Sequence, residues 1–115
     1  MEEKRSKVLV VRSGPGRPEA LAALNLAGEL RAQGSAVGLV LIQDAVLCAL
    51  TLSSLVAVER LRALVADGVV CDYLASDLAM RGYGPADTLR ECRPLDYDSM
   101  VDVLLAEKAS VAGTF

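Results

Sequence analysis

The run LVLIQDAV, residues 39–46, decides how this chain folds. A stretch of aliphatic residues typical of a β-strand stops at the polar pair Gln43-Asp44, and an apolar stretch typical of a helix follows directly. In α/β proteins, binding sites lie where the carboxyl end of a strand meets the amino end of a helix. The run therefore predicts a fold class and also the place where a functional site is expected.

Segments typical of strands and of helices alternate on both sides of this run. Apolar runs predict strands at Val8–Val11, Ala36–Ile42, Val69–Leu74, Cys92–Leu95 and Ser110–Phe115. Apolar stripes at helical spacing predict helices at Glu19–Gln33, Asp44–Leu50, Val56–Ala66, Ser76–Arg81 and Asp98–Lys108. This alternation predicts a three-layer α/β/α sandwich with a mainly parallel sheet of four or five strands. The length of 115 residues fits a single domain, residues 1–115.

Several polar residues and glycines mark the ends of these helices. Gly34 and Gly82 predict carboxyl-terminal ends, and Ser76 is a possible amino-terminal cap. The segment 96–98 offers carboxylate caps for the last helix. Asp77 and Arg81 are spaced i and i+4, which predicts an ion pair on one helix face.

Composition excludes several classes of function. The net charge of −3 and the aromatic content of 3% provide neither a basic surface nor a stacking platform for nucleic acid. The chain has no histidine, which removes Ser-His and Cys-His catalysis. Its three cysteines form no CxxC pair, so a zinc site is not expected. We therefore expect no metal, no cofactor and no direct binding to nucleic acid.

Residues 36–58 are apolar enough to resemble a membrane span. Asp44 lies inside this stretch, however, and an aspartate near the bilayer centre costs roughly 2.5–3.5 kcal/mol. A strand, a turn and a helix account for the same residues, so we expect no membrane association. The odd number of cysteines and the charged segment Met1–Lys7 suggest reduced thiols and a cytoplasmic location.

The loop at residues 13–18 is a candidate ligand site. Gly14-Pro15-Gly16 begins like a GxGxxG dinucleotide fingerprint, but Glu19 stands at the third glycine, where a carboxylate repels pyrophosphate. A tight turn is the structural alternative. Together with the polar pair after the second strand, the loop makes Ser13, Gly14, Gln43 and Asp44 the candidate binding residues.

Cys48 is the candidate for sulfur chemistry among the three thiols. It lies about one turn into the helix after the second strand, where a helix amino terminus lowers a thiol pKa. Its neighbours are apolar, so a buried and inert thiol is the alternative. Cys71 is expected in the core, and the charged neighbours of Cys92 favour an exposed thiol.

Three blocks, in order, resemble the DsrE/DsrF/DsrH and TusB/TusC/TusD sulfur-relay superfamily, most closely its DsrH/TusB branch. Leu41–Val46 is similar to the branch signature LLQDGV, and Leu74–Tyr83 is similar to EDLxARG. Leu95–Val101 is similar to IDYxxFV, and a short tail ends in an aromatic, Phe115. The resemblance implies a small α/β/α domain that assembles into oligomers. Some members pass persulfide sulfur toward tRNA thiolation or sulfur oxidation.

The resemblance also implies where a sulfur-accepting cysteine would stand, and this chain departs from the pattern there. Leu74 occupies the accepting position of the DsrE/TusD branch, and the helix Glu19–Gln33 lacks the cysteine of some DsrH members. The leading interpretation is a structural or non-catalytic subunit of a sulfur-relay assembly. The alternatives are a persulfide carrier that uses Cys48 and a small-ligand binding module at the strand edge.

The apolar content of the chain favours assembly with other subunits. Hydrophobic residues make up 53%, which is more than one small core usually needs. A polar break at 51–54 interrupts an apolar stretch that continues through Leu55 and Val56, and these two residues are candidates for a surface patch. We expect a homo-oligomer or a complex with DsrE/TusD-like partner subunits.

Overall fold

Five parallel strands form one sheet at the centre of the molecule. The chain is described by a computed structural model over residues 6–51, 55–106 and 109–115. In chain order the strands are β1 (Ser6–Val11), β2 (Ala36–Leu41), β3 (Val70–Leu74), β4 (Cys92–Leu95) and β5 (Ala109–Thr114). Their order across the sheet is β4-β3-β2-β1-β5, and every neighbouring pair is parallel. The predicted α/β/α sandwich is confirmed.

Helices cover both faces of the sheet but unequally. They are α1 (Pro18–Ala32), α2 (Val56–Ala66), α3 (Ala75–Met80) and α4 (Tyr97–Leu104), together with a 3-10 helix at Gln43–Ala49. One face packs Leu9, Leu39 and Tyr73 against α1, α2 and the 3-10 helix in the larger core cluster. Successive strand residues point to opposite faces, so Val8 and Val40 pack on the other side, against α4.

The segment after β2 is the short helix that the apolar pattern predicted, and it winds as a 3-10 helix. With three residues per turn, residues i and i+3 lie in line. Ala45 and Cys48 therefore form one line, and Val46 and Ala49 form the next; all four are buried. This winding turns two adjacent lines of small apolar side chains toward the core. The pattern of apolar residues alone does not distinguish it from a short α-helix.

Helix ends follow the predictions in part. Asp96 caps α4, because its carboxylate accepts a hydrogen bond from the Ser99 backbone N–H at 2.7 Å. Gly34 follows α1 with φ 92°, and Gly82 follows α3 with φ 89°. Ser76 as a cap is wrong, because α3 begins at Ala75 and Leu74 holds the cap position. Helix α4 ends at Leu104 rather than at Lys108, which lies outside the described residues.

The register aligns the carboxyl ends of three central strands. Val11 pairs with Leu41, and Leu41 pairs with Tyr73, the residue before the last of β3. Residues that follow β1, β2 and β3 therefore meet at one edge of the sheet. In the described part of the chain, no helix is both long enough and apolar enough to cross a membrane.

Candidate functional site

A polar cleft of about 430 Å³ opens at the carboxyl edge of the sheet. The four candidate binding residues Ser13, Gly14, Gln43 and Asp44 all lie in its wall. The remaining lining residues are Arg12, Arg17, Glu19, Thr114 and Phe115. The structure thus brings together two segments that the sequence separates by about thirty residues. We call this space the polar cleft.

The loop after β1 is held by hydrogen bonds on both sides. The Arg17 backbone N–H donates to the Gly14 carbonyl at 3.0 Å, which closes the turn. The Ser13 hydroxyl donates to the Phe115 carbonyl at 2.6 Å, and this bond ties the loop to the end of β5. A Cβ at Gly14 would lie 3.3 Å from the Asp44 Cβ, so the small residue lets the loop approach the segment after β2.

Gln43 adopts a backbone conformation that side-chain-bearing residues rarely take. Its φ is 52°, and no other described residue except glycine has a positive φ. Such a conformation costs about 1–2 kcal/mol per residue. The conformation is supported by a hydrogen bond of 2.6 Å from the Gln43 backbone N–H to the Asp77 carboxylate Oδ2. This contact from α3 therefore fixes the backbone at the end of β2.

Asp44 and Arg81 form an ion pair next to this bond. The Nε and Nη2 atoms of Arg81 donate to the same Asp44 oxygen, Oδ1, at 3.0 and 2.9 Å. Arg81 also donates from Nη1 to the backbone carbonyl of Asp77 at 2.9 Å. We call the contacts among Gln43, Asp44, Asp77 and Arg81 the edge network.

The ion pair predicted between the side chains of Asp77 and Arg81 is wrong. The two residues do contact each other, but through the Asp77 carbonyl, while the Asp77 carboxylate serves the backbone of Gln43. The carboxylate partner of Arg81 is Asp44, which lies 37 residues away in the sequence. Helical spacing reveals only local neighbours, so it missed the partner that the parallel sheet brings to the same edge.

All three thiols are buried, and they lie on the side of the sheet covered by α1 and α2. Cys48, Cys71 and Cys92 are 1%, 1% and 4% exposed and belong to one core cluster. Cys71 in the core is confirmed, whereas the expectation of an exposed Cys92 is wrong. Cys92 stands opposite Cys71 in the parallel register of β3 and β4, which places it under the helices.

Burial makes Cys48 a poor nucleophile. Burial, with a smaller contribution from Cys92, raises the pKa of the Cys48 thiol to about 12. This is the opposite of the lowering that a helix amino terminus provides, because the side chain points into the apolar core. A hydrogen bond with Cys92, followed by burial, likewise raises the pKa of Cys71. Cys48 is not among the residues that line the polar cleft.

An apolar groove of about 340 Å³ adjoins the loop on its other side. Its walls come from the loop, the start of α1 and the start of α2: Pro15, Gly16, Arg17, Pro18, Leu21, Leu55, Val56 and Ala57. The exposure of Leu55 at 50% and of Val56 at 67% confirms that both lie at the surface. Arg17 lines this groove and the polar cleft, so the two surfaces are neighbours.

Two arginines of the polar cleft were not named as binding residues: Arg12, and Arg17, which lies inside the candidate loop at residues 13–18. Each stands next to a feature that can be recognised in the sequence. Arg12 directly follows β1, and Arg17 ends the glycine-containing loop. In a parallel sheet, the residue after a strand faces the same edge as the candidate residues after the neighbouring strand. Their position in the sequence was therefore sufficient to include them.

Comparison with known proteins identifies relatives in sequence and in structure. The family model described as DsrH like protein matches residues 19–110. The crystal structure of the YchN protein from E. coli is similar with a TM-score of 0.81 at 18% identity, covering 98% of this chain and all of that one. MTH1491 from Methanobacterium thermoautotrophicum, a protein of unknown function, is similar with a TM-score of 0.78 at 14% identity, covering 96% and 99% of the two chains. These likenesses support the fold. A comparison with curated protein sequences returns no match.

Proposed function

This chain belongs to the DsrH-like family, and from that membership we propose that it is a DsrH/TusB-type subunit of a sulfur-relay assembly. Its role in that assembly is structural, and the sulfur is carried by partner subunits. The single observation that carries the non-catalytic role is the burial of every thiol of the chain. Persulfide transfer needs an accessible thiolate, and none of these three buried thiols is accessible.

The edge network supports the assignment to this branch. Gln43 and Asp44 come from the first block that resembles the branch, and Asp77 and Arg81 come from the second. Residues from two separate blocks thus contact each other directly at the strand edge. Their common role in fixing the strand edge accounts for the presence of polar residues in both blocks.

The position that a sulfur-accepting cysteine would occupy also supports a non-catalytic role. By the resemblance that position is Leu74, the last residue of β3, which is 9% exposed and packs with Val40 and Met100. An aliphatic side chain there contributes to the core of the α4 face and offers no nucleophile. A partner subunit of the DsrE/TusD type would supply the missing thiol.

The apolar groove is the proposed contact surface for such a partner or for a second copy of the chain. Leu55 and Val56 present apolar side chains to solvent at the start of α2, and prolines and Leu21 extend the apolar surface. Exposed apolar surface of this kind marks interaction sites. The neighbouring polar cleft favours a second, compatible role, the binding of a small ligand at the strand edge.

A sulfur-loading experiment tests the non-catalytic role. The chain is incubated with a cysteine desulfurase and cysteine, and its intact mass is measured beside that of a DsrE/TusD-like companion protein. We expect the companion to gain a sulfur atom and this chain to gain none. A stoichiometric gain on this chain that Cys48→Ser abolishes, with the fold retained, would establish the persulfide-carrier alternative instead.

A further inference from the structure

We infer that the polar cleft binds a small molecule through a single anionic group, a phosphate monoester or a carboxylate, held by Arg12. This inference rests on the proposed ligand role of the strand edge and names its ligand class. It is independent of the proposed role in sulfur relay.

The charge balance of the polar cleft points to an anion. Two carboxylates line the cleft, and each has a guanidinium partner: Glu19 lies 3.7 Å from Arg17 Nε, and Asp44 lies 2.9 Å from Arg81 Nη2. Within residues 6–51, 55–106 and 109–115, the structure gives the Arg12 side chain no hydrogen bond or ion pair. Among the charged side chains of the cleft, counted with Arg81, the Arg12 guanidinium is therefore the one without a carboxylate partner, while the Phe115 oxygen in the same wall is held by the Ser13 hydroxyl.

The groups around Arg12 suit an oxygen-rich anion. Arg12 directly follows β1, and Thr114 pairs with Val10 at the end of β5, so the guanidinium and the hydroxyl come from neighbouring strand ends. The guanidinium presents a planar fork of donors that matches the two oxygens of a carboxylate or phosphate. The Ser13 hydroxyl is already donated to Phe115, so Thr114 and Gln43 remain as the neutral side chains that can donate.

The size of the cleft and the carboxylate of Glu19 in its wall restrict the class of ligand further. A volume of about 430 Å³ falls in the usual range of small-molecule pockets, roughly 300–1,000 Å³, and exceeds the needs of a bare ion. Glu19 lies in the first turn of α1, where a carboxylate opposes a second phosphate at the helix amino terminus. The ligand class is therefore a small polar molecule with one anionic group and not a diphosphate.

The test is a titration of the isotope-labelled chain followed by amide shifts of Ser13, Gly14 and Gln43 at constant ionic strength. The probes are adenosine monophosphate, inorganic phosphate, lactate, which carries one carboxylate, and the cation spermidine. We expect saturable binding of at least one anionic probe and none of spermidine. Preference for adenosine monophosphate over lactate identifies a phosphate monoester as the group, and the reverse preference identifies a carboxylate.

Three variants make the test specific to Arg12. We expect Arg12→Gln to weaken binding by about tenfold or more, because a charge-assisted hydrogen bond is lost. Glu19→Gln removes a repelling carboxylate and is expected to strengthen binding by roughly two- to fivefold. Arg60→Gln, on the exposed face of α2 and outside the cleft lining, serves as the matched control and leaves binding unchanged.

Two results would overturn the inference in distinguishable ways. Saturable binding of spermidine without binding of any anion would keep a ligand role for the cleft but reverse the charge of the ligand. Absence of saturable binding for every probe, or an equal loss in Arg12→Gln and Arg60→Gln, would remove the site altogether. Neither result bears on sulfur loading or on assembly with partner subunits, which are measured separately.

Discussion

Asp44 and Cys48 lie in the same 3-10 helix, yet Asp44 faces solvent and Cys48 is buried in the core. The Asp44 side chain is 66% exposed and pairs with Arg81, whereas Cys48 is 1% exposed and packs among aliphatic residues. The three-residue repeat separates them, because Asp44 stands on the outward line while Cys48 stands on an inward one. Chemistry available to a ligand or partner therefore lies on the outward line and at the strand ends.

This contrast separates two kinds of polar or reactive residue in one small fold. The thiols fill space between β3, β4 and the covering helices, and their chemistry is suppressed by burial. The edge network instead holds the Asp44 carboxylate in the wall of an open cleft. Residue type alone points to the thiols as the functional groups, whereas the pattern of strand ends and the structure both point to the edge of the sheet.

The largest expected effect concerns the reactivity of Cys48. Its pKa of about 12, against an ordinary value of 9.0, lowers the thiolate fraction at pH 8 by about a thousandfold. We expect Cys48 in the native chain, followed by peptide mapping, to react with Ellman's reagent at least that much more slowly than Cys48 in the chain unfolded in guanidinium chloride. The rate should still rise between pH 8 and pH 10, because the thiolate fraction continues to increase below the raised pKa.

The unfolded chain is the control for this measurement, since all three cysteines then react freely. A native thiol that reacts as fast as in the unfolded chain would show that the core opens there. If peptide mapping placed that reaction on Cys48, the contrast with Asp44 would fail, and the persulfide-carrier alternative would gain support.

A smaller effect is expected from breaking the edge network. Arg81→Ala removes the ion pair with Asp44 and the bond to the Asp77 carbonyl, so we expect a loss of about 1–2 kcal/mol in the free energy of unfolding. A double-mutant cycle with Asp44→Ala should give a coupling of about 0.2–1 kcal/mol, because Asp44 is largely exposed. Urea titration measures both quantities. Zero coupling would mean that the Asp44–Arg81 contact does not stabilise the edge in solution.

The smallest effect is expected at Gln43. Glycine adopts a positive φ without strain, so Gln43→Gly should raise the free energy of unfolding, by about 0.5 kcal/mol after its entropic cost. Gln33→Gly is the matched control, because Gln33 caps α1 with an ordinary φ of −84°, and it should destabilise the chain. Destabilisation by both variants to the same extent would show that the left-handed conformation of Gln43 is not a source of strain.

The fold was predictable because its signal is carried by local patterns. The apolar run of β2 and the stripe of α1 each lie within one or two residues of their predicted bounds. The short helix after β2 was predicted, but its 3-10 winding was not, because five apolar residues in a row of seven fit either winding. Side-chain partners were harder, since Asp44 meets Arg81 only after β2 and β3 are aligned in the sheet.

The location of the candidate site could be predicted from the sequence, but its balance of charges could not. Strand ends and a glycine-containing loop are visible in the sequence, and they led to Ser13, Gly14, Gln43 and Asp44. The balance that leaves Arg12 without a carboxylate partner depends on which arginine each carboxylate selects. These pairings form only when the strands are aligned in the folded protein, so the spacing of residues along the chain does not predict them.

The central claim, that this chain works as a docked subunit through the apolar groove, is tested most directly by light scattering across a dilution series. The chain is measured alone and mixed with DsrE/TusD-like subunits, as wild type, as Leu55→Asp and as the control Leu105→Asp, which changes an exposed leucine outside the groove. We predict an assembly larger than one chain that Leu55→Asp weakens and Leu105→Asp leaves intact, with circular dichroism unchanged in both. The mass of a single chain at every micromolar concentration, with and without the partner subunits, would contradict the account, as would unfolding caused by Leu55→Asp.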